Sequence, residues 1–71
     1  MTTCAVFRSR SQALSFASRL SASGVRVSVV PAPKEAGIGC GLCVKFSSRD
    51  YSKARTILSM YGYDSFRGFF G

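Results

Sequence analysis

A stretch rich in proline and glycine most constrains how this chain can fold. It runs from Pro31 to Gly41 and separates two segments whose alternating, β-branched pattern is typical of strands. Proline has no backbone N–H to donate, so we expect Pro31 to end the first of these strands. The residues from Ala32 to Gly41 number about ten, which is long for a hairpin turn and predicts a functional loop between adjacent strands.

The pattern along the rest of the chain gives the order β-α-β-β-α-β. Strands are predicted at 2–8, 25–30, 42–47 and 63–70. The first helix opens at Ser9 or Ser11, Ser9 and Gln12 have the spacing of a capping box, and Gly24 ends the helix. Its apolar residues recur at i, i+3, i+4 and i+7 and form one face: Ala13, Phe16, Ala17 and Leu20.

The second helix is predicted to begin at Ser48 or Asp50 and to end at Gly62. Its expected apolar face consists of Tyr51, Ala54, Leu58 and Tyr61, with Ile57 adjoining. The whole order predicts an α+β fold with a ferredoxin-like split β-α-β arrangement, in which two helices cover one face of an antiparallel sheet and the other face is open. We expect residues 1–71 to form a single domain.

The strand patterns also predict which side chains share a face. Gly68 weakens the last strand and favours an edge position for it. We expect the first and third strands to be central neighbours that run parallel. If Phe7 faces the helices, Cys4 and Cys43 lie near one another on the open face, and either could meet an oxidised Cys40.

Cys40 is the leading candidate for chemistry. It lies between Gly39 and Gly41, shortly after Lys34. A thiol reacts as its thiolate, which nearby cations and convergent backbone N–H groups stabilise. Lys34 could supply the cation, and Gly39 and Gly41 the backbone N–H groups and access. The alternative is that Cys40 is a small buried residue beside a turn, since free cysteine is among the most buried residue types.

Other chemistries lack the residues that they need. Cys40-Gly-Leu-Cys43 has the spacing of a redox motif, but such motifs begin a helix, whereas an alternating strand follows here. The chain has three cysteines and no histidine, too few for a closed zinc site with four ligands. We therefore expect no metal and no cofactor.

Hydrolytic catalysis also lacks its residues. With three carboxylates and no histidine, the chain cannot build a hydrolytic triad or an acid–base pair. Enzymatic activity therefore stays uncertain, and a thiol carrier without a general base is favoured.

The net charge of the chain predicts the charge of its partners. The net charge of +7 attracts acidic partners, whether nucleic acid or protein. RNA-recognition domains of the same architecture stack bases on aromatic side chains of the two central strands. The third strand here has no exposed aromatic, so RNA binding is weakly supported.

The sequence also bears on where the protein is located. No apolar run approaches the roughly 20 residues needed to span a bilayer, and no signal peptide is apparent. The cysteines are odd in number and irregularly spaced, which favours a reducing, cytoplasmic location.

Several short motifs carry a family resemblance. Val30-Pro31-Ala32-Pro33-Lys34-Glu35, then Cys40-Gly41 and Lys45-Phe46, together with Phe7-Arg8-Ser9, Ala13 and Leu20, resemble a small bacterial family of selenium/sulfur carrier protein-like domains. The resemblance implies that Cys40 holds activated sulfur or selenium as a persulfide or selenopersulfide, with a donor enzyme and an acceptor protein as partners.

Two other interpretations remain open. The chain could be a small basic regulatory module that binds RNA or an acidic protein and carries no sulfur. It could also be a structural domain that docks to another protein through the segment 66–70. A homodimer through the open sheet face is compatible with each.

Overall fold

The computed structural model describes residues 1–32 and 41–70 of the chain. These form strand β1 (Thr2–Phe7), helix α1 (Arg10–Ala22), strands β2 (Val27–Pro31) and β3 (Leu42–Ser47), helix α2 (Tyr51–Met60) and strand β4 (Phe66–Phe70). A short 3-10 turn, Ser48–Asp50, precedes α2. The strands make an antiparallel sheet in the order β2-β3-β1-β4. The predicted α+β class and ferredoxin-like split arrangement are confirmed.

The relative direction of the two central strands was predicted wrongly. β1 and β3 are neighbours, but they run antiparallel, with Ala5 opposite Val44. The reason lies in the connections. Helix α1 carries the chain across to β2, which runs parallel to β1, and the chain then reverses direction and inserts β3 between them.

The core lies between the helices and one face of the sheet. Phe7 has tilted or edge-on ring contacts with Phe16, Tyr63 and Phe66, at centroid distances of 5.1, 5.6 and 5.3 Å. The cluster also buries residues that the sequence patterns predicted to face inward: Ala5, Ala13, Ala17, Leu20, Val44, Phe46, Ala54 and Ile57. Tyr51 was expected among them, but it is 39% exposed.

Helix α1 ends in a way that directs the chain into β2. Gly24 has φ 90°, a left-handed value that glycine adopts without strain. The N–H of Val25 donates to the carbonyl of Leu20 (3.3 Å), and that of Gly24 donates to Ser21 (3.0 Å). This is a Schellman motif, and its apolar contact is supplied by the buried side chains of Val25 and Leu20.

Strand β4 lies at the edge of the sheet, as predicted, and contains a bulge. Phe66 pairs with Phe7 of β1, but Gly68 pairs with Val6, so Arg67 is an extra residue on the edge strand. The bulge shifts the alternation of side chains. Phe66 and Phe69, three residues apart, therefore both pack against the core beneath the helices.

Candidate functional site

The base of the β2–β3 connection is closed by a backbone hydrogen bond. The N–H of Ala32 donates to the carbonyl of Gly41 at 3.1 Å, directly beyond the last pair of the β2–β3 ladder, Pro31 with Leu42. Ala32 and Gly41 therefore lie beside each other at one end of the sheet. Three predicted site residues, Lys34, Gly39 and Cys40, lie outside the described residues.

Gly41 is the predicted site residue that the structure describes. Its φ of 142° belongs to the region that side chains with a Cβ rarely adopt, so the entry into β3 requires glycine at this position. Its carbonyl is already engaged by Ala32. The role predicted for its N–H, beside an anionic sulfur, stays a prediction.

Two further cysteines share the face of the sheet that lies opposite the helices. Cys4 on β1 is paired with Lys45, and Cys43 on β3 is paired with Val6, so the two cysteines are diagonal neighbours. The prediction that they lie on one face, with Phe7 directed toward the helices, is therefore correct. Cys43 is fully buried, whereas Cys4 is half-buried.

The Cys43 thiol is held in its protonated form. Burial, which removes the thiolate from water, is the main reason that its pKa rises from 9.0 to about 12. The neighbouring Cys4 side chain raises the pKa further by hydrogen bonding and by charge, and Lys45 lowers it by less. Because the thiolate is the nucleophile, Cys43 is a poor candidate for sulfur exchange at neutral pH.

The sheet face without helices is less open than expected. Val6 and Cys43, at its centre, are both fully buried, although neither belongs to the cluster beneath the helices. Lys45 and Ser28, farther along the same face, are exposed. On this face the described central strands present no aromatic ring, in agreement with the sequence-based argument against base stacking.

A recess of about 920 Å³ lies at the end of the sheet away from the Ala32–Gly41 hydrogen bond. We call it the basic recess because its charged lining side chains are Arg26, Arg49, Lys53 and one carboxylate, Asp50. It lies where β1 and β2 begin and β3 ends. Sequence reasoning missed it because Arg26 is far in the chain from Arg49 and Lys53, and only the fold, through β2 and the start of α2, brings them together.

No helix within residues 1–32 and 41–70 is long and apolar enough to cross a membrane.

One comparison with known proteins gives a match. The model of the family described as "Putative Se/S carrier protein-like" matches residues 2–65. The matched range runs from β1 to the turn after α2, and it includes the whole segment 33–40. The searches of curated proteins and of solved structures give no match.

Proposed function

Because the chain belongs to the Putative Se/S carrier protein-like family, we propose that it carries activated sulfur or selenium on Cys40, as a persulfide or selenopersulfide. The family match is the observation that carries this proposal. It spans residues 2–65, on both sides of the cysteine-containing segment. A carrier family implies a donor and an acceptor, so the proposed partners are a donor enzyme and an acceptor protein.

The surroundings of the other two cysteines support the choice of Cys40. Cys43 is buried and protonated, and Cys4 is half-buried within β1 next to it. Gly41, the residue that follows Cys40 in the sequence, lies directly before β3 and beyond the last pair of the β2–β3 ladder.

The proposed transfer is an exchange between sulfur atoms. The thiolate of Cys40 attacks the terminal sulfur of a donor persulfide, R–S–SH. A bond forms between Cys40 and that sulfur, the donor S–S bond breaks, and the donor leaves as R–S⁻. The products are Cys40–S–SH and a donor thiolate, so no net oxidation or reduction occurs. Attack by an acceptor thiolate on the terminal atom repeats the step, and selenium replaces the terminal sulfur in the selenium case.

The remaining predicted site residues would stabilise the charged sulfur. In this proposal Lys34 provides a nearby positive charge, and Gly39 and Gly41 provide backbone N–H groups and room for the partner's reacting atom. Exchange needs an accessible thiolate and no general base, which agrees with a chain that has no histidine. A reducing cytoplasm would keep Cys40 as a free thiol between transfers.

Intact mass spectrometry tests this proposal directly. The protein is incubated with a cysteine desulfurase and cysteine, and in parallel with a selenocysteine lyase and selenocysteine. We expect an adduct of one sulfur or one selenium atom that is removed by a reducing thiol. Cys40→Ser should abolish the adduct, whereas Cys4→Ala should retain it.

The controls distinguish a carrier from a module that binds without sulfur. An adduct that persists in Cys40→Ser, or its absence from the unmodified protein with both donors, contradicts the assignment of Cys40 as the carrier. Binding of RNA or of an acidic protein that is unaffected by Cys40→Ser, together with no adduct, would instead favour the regulatory module. The basic recess is the feature that favours this second candidate.

A further inference from the structure

The basic recess has an excess of positive charge that the described residues do not neutralise. Asp50 is the one carboxylate among the described lining residues, and its Oδ2 lies 4.0 Å from Arg49 Nε, although the Asp50 side chain is only 20% exposed. Such a pair contributes little and leaves the Arg49 side chain, 87% exposed, available to other anions. Arg26 has no ion pair with any residue in 1–32 or 41–70.

Lys53 is held at the border of the recess by a contact between the two helices. Its Nζ donates to the carbonyl of Ser23, the C-cap of α1, at 3.3 Å. An ammonium group has three donors, so two remain for a ligand after this bond. The contact therefore fixes one cation while leaving it able to bind an anion, and Arg26 and Arg49 bring two guanidinium groups to the same recess.

The lining favours carboxylates of a protein over nucleic acid. Single-stranded nucleic acid is usually held by aromatic side chains on which its bases stack. The one aromatic residue of the recess, Phe46, is 2% exposed and belongs to the core. What the recess offers instead is two guanidinium groups, which bind carboxylates through paired hydrogen bonds, and the hydroxyls of Thr2, Ser28 and Ser47.

The recess is separate from the end of the sheet at which Gly41 lies. Strand β3 has six residues, and a rise of about 3.4 Å per residue separates its ends by about 17 Å. Gly41 precedes one end and Arg49 follows the other. A protein interface of ordinary size, about 800 Å² on each partner, is wide enough to extend over this distance.

From these observations we propose that the basic recess docks an acidic segment of the protein that exchanges sulfur or selenium with this chain. The inference rests on the proposed carrier function and adds to it the surface that a partner recognises. Docking at Arg26, Arg49 and Lys53 holds the partner by charge, while the exchange takes place at the other end of β3. Association should therefore weaken strongly as salt rises.

Two variants of equal charge test the location of the docking surface. Arg26→Glu/Arg49→Glu reverses two charges in the recess. Arg8→Glu/Arg67→Glu reverses two exposed charges at the opposite end of the fold, after β1 and in the β4 bulge. Both variants have the same net charge. The probe is a synthetic glutamate-rich decapeptide, and binding is followed at low salt by amide chemical shifts and by titration.

We expect the peptide to shift the amides of Arg26, Arg49 and Lys53, and the recess variant to weaken binding by about tenfold more than the matched variant. Equal weakening in both variants, or shifts spread evenly over the surface, would overturn the proposal. So would tighter binding of an oligouridylate or of inorganic phosphate than of the peptide at the recess under the same conditions.

A parallel assay separates this inference from the carrier function. A small-molecule persulfide donor needs no docking, so the recess variant should acquire the Cys40 adduct as the unmodified protein does. If the adduct forms but the peptide does not bind at the recess, docking is wrong and the carrier proposal stands. If the peptide binds at the recess but Cys40 acquires no adduct, the carrier proposal is wrong, although the recess does bind acidic peptides.

Discussion

Cys4 lies beside Cys43 on the sheet face opposite the helices, where it helps to keep the Cys43 thiol protonated. Burial raises the pKa of Cys43 more than Cys4 does, and the two effects together raise it to about 12. A thiol in this state is neither a good nucleophile nor a good metal ligand. Cys43 would therefore not compete for sulfur with the carrier residue that we propose, Cys40, three residues earlier in the sequence.

Alkylation should distinguish the two strand cysteines. In a Cys40→Ser background at neutral pH, we expect iodoacetamide to modify Cys4 at least about tenfold faster than Cys43, because Cys4 is half-buried and Cys43 is fully buried and protonated. Peptide mass spectrometry at successive times measures the two rates. Both residues should react alike in urea. Equal rates in the folded protein would contradict the protonated, inaccessible state of Cys43.

The same thiol should make stability depend on pH in the alkaline range. Above pH 9.0 the unfolded state releases the Cys43 proton while the folded state keeps it up to about pH 12. The unfolded state then binds fewer protons, so the free energy of unfolding falls as pH rises; this thiol contributes a loss of about 1.4 kcal/mol from about pH 8 to about pH 10. Below this range it contributes no pH dependence.

Urea denaturation of the unmodified protein and of Cys43→Ala measures this contribution. The variant has a lower stability at every pH because a buried side chain is shortened, so the comparison uses only the change with pH. We expect the decline between the two pH values to be smaller in Cys43→Ala by about the amount given above. Parallel curves for the two proteins would show that Cys43 does not titrate differently in the folded state.

Gln12 joins the start of α1 to the turn before β4. Its Oε1 accepts from the N–H and from the hydroxyl of Ser65, at 3.0 and 2.6 Å, and its Nε2 donates to Asp64 at 2.8 Å. Gln12→Ala removes these bonds and leaves the Ser65 N–H without its partner, so we expect a loss of about 1–2 kcal/mol in the free energy of unfolding. Ser18→Ala, an exposed change on the same helix, should be nearly neutral. Similar effects of the two changes in urea denaturation would argue against a stabilising role for Gln12.

Gln12 also shows how far a local sequence pattern can predict the structure. The spacing of Ser9 and Gln12 correctly predicted the cap, since Ser9 Oγ accepts from the N–H of Gln12 at 3.2 Å. A capping box further requires the Gln12 side chain to turn back to Ser9, but it binds Ser65 instead. Local spacing determines the first bond, whereas the second depends on a residue that only the folded chain brings near.

The strands also show that local sequence predicts some features, whereas others depend on the folded chain. Alternation correctly predicted that Leu42, Val44 and Phe46 share a face, because side chains of a strand alternate whatever the neighbouring strand. It could not predict the bulge at Arg67, which depends on pairing with β1. Sequence reasoning likewise gave no sign of the basic recess, because Arg26 is far in the chain from Arg49 and Lys53. Of the predicted site residues, only Gly41 is described, and its backbone conformation accounts for glycine at that position.

Gly41→Ala should reveal how strongly the base of the connection depends on this conformation. With φ at 142°, an added Cβ strains the backbone wherever the side chain points. We expect a loss of about 1–2 kcal/mol in the free energy of unfolding, together with weaker protection of the Ala32 N–H from hydrogen exchange, since its acceptor is the Gly41 carbonyl. Gly62→Ala is the matched control, because Gly62 lacks a positive φ and a Cβ there would meet nothing within 4 Å. If the two changes lower stability equally, the conformation of Gly41 is not what the β2–β3 connection requires.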